Sequence, residues 1–398
     1  MRRMRLRRVA VLAALAIPLP FLASGVSAAR AGRSGQTLYQ VTELGSLGGT
    51  SSAGSSINDL GSIAGFSKLP GDAMMHATLW RDGTPIDLRT LGGPNSAVLW
   101  PVKNHGKVVG VSETADKNPL GEAWSCSAFF PGAPTGNVCV GFVWRGGHMR
   151  ALPTLGGYDG FATGMNTRGQ AVGWAENTVH DPTCNLPQVL QFRAVLWGPH
   201  GRIQELPPVG DDPTSAATAI NDQGQVVGIS GLCADAVGGY SAAHALIWND
   251  GVPTDLGNLG GVAWNTPMAI NNLGQVVGFA NQPGGDPGDF NGQAFIWTAE
   301  DGMEPLPFLP GDSLSEALGI NDLGQVVGLS CTAGFASCRA FLWEDGVMTN
   351  LQDLAPGYDG SFVFANDIDN LGEITGQAID ADTGDAVAFR ATPSVGTP

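Results

Sequence analysis

A twelve-residue segment recurs seven times along this chain of 398 residues, and that repetition limits the fold more than any other feature. Three copies are nearly verbatim: AINDQGQVVGIS at 219–230, AINNLGQVVGFA at 269–280 and GINDLGQVVGLS at 319–330. Four are looser: SINDLGSIAGFS at 56–67, PVKNHGKVVGVS at 101–112, GMNTRGQAVGWA at 164–175 and DIDNLGEITGQA at 367–378. Every copy carries an anchor glycine (Gly61, Gly106, Gly169, Gly224, Gly274, Gly324, Gly372) and a second glycine four residues later (Gly65, Gly110, Gly173, Gly228, Gly278, Gly328, Gly376). Successive anchors are 45, 63, 55, 50, 50 and 48 residues apart, the spacing of propeller blades.

A second motif falls between the copies. It ends at Trp80, Trp144, Trp197, Trp248, Trp297 and Trp343, with Phe389 in the seventh place. A turn and a short Asp-Leu run follow it, as in VPTDLGNLGG at 252–261. Each repeat therefore reads as four short strands: one before the Asn-Asp turn, the QVVG run, the Trp-ended run and the Asp-Leu run. Asn, Asp and Gly suit the first turn because they tolerate positive φ. The glycine inside the second strand signals a bulge or a close backbone approach. The recurring tryptophans are expected to pack between units rather than to bind a ligand. At the ends, YQVTELGSLGG (39–49) is a fourth strand lacking its first three, and AVAFRA (386–391) is a third strand lacking its fourth. The N-terminal strand can thus complete the last unit, which removes the free edges of a ring. The expected fold is all-β: a seven-bladed β-propeller of four-stranded blades, its ring closed by the N-terminal strand.

The pattern A-F-x-W…D-G…D-L-G-x-L-G-G…A-x-x-I-N-D-x-G-x-V-V-G resembles the HAF repeat, the extracellular repeat of bacterial exported proteins, over residues 39–391. The His-Ala start of that repeat is kept loosely, as His76-Ala77, His244-Ala245, Gln293-Ala294 and Arg339-Ala340. The resemblance implies export and a repeat fold, and implies no particular reaction. The strand order also looks like that of kelch propellers, without their double glycine.

The N-terminus has the layout of an export leader. Arg2, Arg3, Arg5, Arg7 and Arg8 precede the apolar run 9–23, which holds Pro18 and Pro20, and Val26-Ser27-Ala28 offers a cleavage site. A membrane anchor would need roughly 20 unbroken apolar residues. The expected organisation is a signal peptide 1–28, a linker 29–38, the propeller 39–392 and a tail 393–398, exported to the periplasm, cell surface or medium. Arg7-Arg8 leaves the export route open. Without the leader, fifteen basic residues face thirty-six acidic ones, a net charge of −21. That disfavours nucleic acid and anionic membranes as partners, because both demand a basic surface.

Length variation concentrates in the loops joining second to third strands, at 114–140, 177–193, 231–244, 282–293 and 331–339. In this topology they share one face with the links between blades. A site is expected there, because function on rigid frames gathers in variable loops. All six cysteines lie in these loops, and an even number in an exported chain points to disulfides: Cys126–Cys139, Cys184–Cys233 and Cys331–Cys338. Candidate ligand-binding residues on this face are Trp124, Phe129, Phe130, Tyr158, His180, Tyr240, Trp264 and Tyr358, with end-of-blade packing as their other reading.

Catalytic signals are sparse. His76, His180 and His244 have Asp181 and Asp235 in the same loops, but no nucleophile elbow, zinc motif or phosphate loop occurs. Two acidic runs could take calcium, Asp286, Asp289 and Asn291, and Asp380, Asp382 and Asp385, although ordinary turns account for both. No other cofactor is expected. The sequence thus favours a monomeric, non-catalytic binding scaffold for a polysaccharide or an exported protein. The alternative is a hydrolase or lyase acting on glycans, whose mark would be two carboxylates converging at the mouth of the central channel.

Overall fold

The computed structural model describes residues 37–100, 106–122, 129–199, 201–233, 238–284 and 289–394. The leader and the expected positions of Trp124, Cys126, Asp235 and Asp286 lie outside the described residues. Seven antiparallel sheets of four strands make up the fold. In blade 4 the strands are Thr214–Ile220, Val226–Gly231, His244–Asn249 and Val252–Asp255, hydrogen-bonded in that order. Blade 7 takes three strands from the C-terminal end, Ser361–Ile368, Ile374–Ile379 and Ala386–Ser394, and its outer strand, Leu38–Glu43, from the N-terminal end. Leu38 pairs with Ser394 and Glu43 with Phe389, so the ring is closed by strand exchange.

First strands of neighbouring blades touch one another and so lie innermost. They also bond across blades: the hydroxyls of Thr163 and Thr218 donate to the carbonyls of Ala217 and Pro267 in the next blade, at 2.9 and 2.7 Å. Six of the seven second-strand glycines face a bulge in the first strand. A Cβ on Gly228 would lie 2.1 Å from the Ala216 carbonyl oxygen, where the pairing skips between Ala217 and Ala219. The repeated glycine therefore answers both sequence readings at once, because the bulge pushes a carbonyl into the space a side chain would need.

The third-strand tryptophans join blades. Trp80, Trp197 and Trp248 are fully buried, and their indole N–H groups donate to the carbonyls of Gly45, Pro153 and Pro207 in the link leaving the preceding blade. The Asn-Asp turns do the same at the opposite face. Asn221 Oδ1 accepts from the backbone N–H of Gln223 and Gln225 inside its own turn, while its Nδ2 reaches the Asn271 carbonyl of the next blade at 3.0 Å. Asn271 repeats this onto Asn321, and Asn321 onto Asp369. A second relay runs beside it, from the Asp222 N–H to Asn272, the Asn272 N–H to Asp322, the Asp322 N–H to Asn370 and the Asn370 N–H to Asp59. Among the described residues no helix is long and apolar enough to cross a membrane.

Candidate functional site

Second-to-third-strand loops and inter-blade links share one face of the ring, opposite the Asn-Asp turns. Disulfides hold this face in two places. Cys184–Cys233 ties the loop of blade 3 to that of blade 4, and Cys331–Cys338 closes the loop of blade 6. Cys139 is also disulfide-bonded, while Cys126 lies outside the described residues.

Across blades 4 to 6 the face carries an aromatic arc. Tyr240 sits on a short 3-10 turn, Gly239–Ala242, and is 40% exposed. Trp264, in the link between blades 4 and 5, packs under that turn and has a left-handed backbone, φ 60°. Its indole meets Phe290 edge-on at 5.2 Å, and its buried N–H has no hydrogen-bond partner among the described residues. Phe290 in turn stacks on Phe335 at 5.4 Å, and Phe335 is 44% exposed. A bulky residue held at positive φ costs about 1–2 kcal/mol, so the surrounding packing must fix Trp264 in place. Phe290 and Phe335 escaped the sequence reading. Each is a lone aromatic in a polar loop, and only the ring brings them together.

Over blades 2 and 3 the aromatics turn inward instead. Phe130 is buried, and Phe129 is partly buried against Trp100 and Phe161 at 5.8 and 5.4 Å. Phe161 stacks on Trp174 at 4.6 Å. Both phenylalanines of the long blade 2 loop thus serve as its apolar footing. Tyr158, in the link between these blades, stays 41% exposed.

Beneath Tyr158 lie three buried carboxylates that sequence spacing did not reveal. Glu122 comes from the blade 2 loop, Asp159 from the link and Glu176 from the second strand of blade 3 (Ala171–His180). None is more than 2% exposed, and one carboxylate oxygen of each lies within 4.8 Å of the others. Backbone donors aim them. Glu122 Oε1 accepts from the N–H groups of Val189 and Leu190, at 2.9 and 2.6 Å. Asp159 Oδ1 accepts from the Cys139 N–H at 2.8 Å, and Glu176 Oε2 from those of Tyr158 and Asp159 at 3.1 and 2.9 Å. The remaining oxygens meet amide side chains among the described residues: Asn118 Nδ2 donates to Asp159 Oδ2 at 3.0 Å and Glu122 Oε2 at 3.4 Å, and Gln188 Nε2 to Glu176 Oε1 at 2.9 Å. Burial first, and then the neighbouring carboxylates, push Asp159 well above the usual carboxylate range and Glu176 up to about 7.

The other candidates are scattered. His180 is exposed at the end of its strand. His76 and His244 make ion-pair contacts with Asp87 and Asp212, at 2.9 and 2.8 Å. Tyr358 donates its hydroxyl to Glu43 at 2.7 Å, bracing the closing strand. Asp380 Oδ1 is occupied by the N–H groups of Asp382 and Thr383 and the Thr383 hydroxyl, so this acidic run with Asp385 forms the turn of a hairpin. Asn291 Nδ2 donates to the Gln282 carbonyl and Asp289 accepts at its own carbonyl from Asn281, contacts that fasten the blade 5 loop.

No family model matches the sequence, and no curated protein matches it. Some solved structures are similar to parts of the chain. A putative TolB from Agrobacterium tumefaciens is 12% identical, with 73% of this chain and 99% of that chain covered at a TM-score of 0.38. A puromycin hydrolase S511A mutant complexed with PGG is also 12% identical, with 83% of this chain but only 50% of that chain covered at a TM-score of 0.44. A putative gluconolactonase covers 51% of this chain and 81% of its own at 12% identity and a TM-score of 0.29.

Proposed function

We propose that this protein is an exported, non-catalytic scaffold of the HAF-repeat type, whose loop face binds a polysaccharide. The observation that carries the reading is the aromatic arc Tyr240–Trp264–Phe290–Phe335. Two of its rings are well exposed, and two are half-buried as their support. Flat, immobilised aromatic faces suit the apolar faces of sugar rings and lose little side-chain entropy on binding. Export is supported by the leader pattern and by the disulfides, which persist in oxidising compartments. Binding an exported protein through the same arc is the neighbouring reading.

The three buried carboxylates do not favour a glycan-cleaving enzyme. An acid or nucleophile must touch the glycosidic bond, and these groups are closed off from solvent. The test is a glycan array and a pulldown on cell-wall polysaccharide with the wild-type chain and with Tyr240→Ala and Phe335→Ala. Each variant should bind about 5- to 100-fold more weakly, the range for losing an exposed aromatic anchor, with an unchanged melting temperature. Saturable glycan binding that both variants retain would move the site off this arc. Cleavage of the bound glycan would replace the scaffold with an enzyme.

A further inference from the structure

Three buried carboxylates with oxygens within 4.8 Å of one another need a compensating charge. Among the described residues no Lys or Arg pairs with Glu122, Asp159 or Glu176; the donors that face their inner oxygens are the neutral amides of Asn118 and Gln188. Burying an unpaired carboxylate is costly, and burying three together costs more. A second observation points to what is missing. Gln188 is 2% exposed, its amide nitrogen touches Glu176, and its Oε1 is buried with no hydrogen-bond partner among the described residues. Since a carboxamide's O and N are about 2.3 Å apart, that oxygen stands within about 5 Å of the Glu176 carboxylate. An orphaned amide oxygen beside Glu176, with the carboxylates of Glu122 and Asp159 next to it, makes an all-oxygen donor set.

We infer that Glu122, Asp159 and Glu176, with Gln188 Oε1, form a binding site for a calcium ion that fastens the blade 2 loop to blade 3. Ligands on opposite sides of Ca²⁺, each at about 2.4 Å, stand about 4.8 Å apart, and the three carboxylate oxygens lie within 4.8 Å of one another. Magnesium keeps several of its waters and a tighter octahedron, whereas calcium accepts irregular sets of protein oxygens. The ligands come from three separate segments: Glu122 from a loop of blade 2, Asp159 from an inter-blade link, and Glu176 with Gln188 from blade 3. The ion would hold the ground under Tyr158, whose own N–H binds Glu176. The site stands whether or not the loop face takes a glycan.

The full chain, stripped with EGTA, is titrated with CaCl₂ by calorimetry and followed by thermal melting. One equivalent should bind, and a hundredfold excess over Kd should raise Tm by about 3–4 °C. Glu176→Gln and Asp159→Asn should abolish both responses, while Asp382→Asn, in the hairpin turn, should keep them. An EGTA-treated wild type that neither binds calcium nor changes its Tm would overturn the site and leave shared protons as the compensation. Loss of the response in Asp382→Asn, or an equal response to MgCl₂, would overturn the assignment of ligands or of the ion. Because the wild-type titration alone decides the first point, misfolding of a variant does not blunt the test.

Discussion

At the scale of single residues, the repeat is a set of steric and hydrogen-bonding demands that few side chains meet. Gly228 is the clearest. With the Ala216 carbonyl 2.1 Å from where a Cβ would sit, Gly228→Ala must push the first strand out of its bulge. The expected cost is about 3 kcal/mol or more. Gly164 lies in the first strand of blade 3 (Gly160–Met165), and a Cβ there would meet nothing closer than 3.4 Å. Gly164→Ala should therefore change stability by less than about 1 kcal/mol. Urea unfolding of the two variants separates a positional demand for glycine from a general taste for it in strands. The Asn at the head of five of the seven turns, Asn58, Asn166, Asn221, Asn271 and Asn321, is similar in kind. A Ser hydroxyl could bond its own turn, but the carboxamide accepts inside the turn on one atom and donates to the next blade from another, about 2.3 Å away.

Among elements, the loops are bound to the frame by covalent links of different reach. Cys184–Cys233 spans 49 residues and Cys331–Cys338 spans 7. By loop-closure entropy the first stabilises the chain by about 4 kcal/mol and the second by about 2.5 kcal/mol. Replacing both cysteines of a pair by Ala should lower the urea midpoint more for 184/233 than for 331/338. The reverse order would mean that the loop of blade 6 depends on its bridge for native packing, not only for the entropy of the unfolded chain. The longer bridge also joins two blades, so its loss should expose the loops of blades 3 and 4 to proteolysis before the rest of the ring.

The whole molecule is a closed ring with an excess of acid, and its stability should depend on pH through the acids it buries. Glu316, on the first strand of blade 6 (Leu314–Ile320), is partly buried, and burial alone lifts its pKa to about 7. Its folded pKa exceeds its unfolded one, so the folded state holds the proton more tightly. Stability from this group is full below about pH 4.5 and is lost as pH rises through about 7. The loss is at most about 3 kcal/mol, less where water reaches the side chain. Asp369, raised to about 6 by burial and then by nearby acids, adds in the same direction. Unfolding free energies at fixed calcium should fall between pH 5 and 8, and Glu316→Gln should flatten that slope and stabilise the protein at pH 8. A slope identical in wild type and variant would place the pH dependence elsewhere.

Blade number, strand order and ring closure were all legible in the sequence, because each rests on a local pattern that repeats at a fixed offset. The Gly61–Gly65 spacing is such a pattern, and so are the strand-ending tryptophans and the orphan strand at 39–43. The face that carries the variable loops follows from strand order alone. What sits on that face did not follow. Phe129 and Phe130 look like Tyr240 in sequence, yet one loop folds its aromatics under itself and the other displays its ring. Glu122, Asp159 and Glu176 are 37 and 17 residues apart along the chain and fall in no motif. They meet only because closing the ring sets the loop of one blade against the link and strand of the next. Local backbone demands can be read from neighbours in sequence, whereas burial and the meeting of charges depend on which blades pack side by side, and the ring alone decides that.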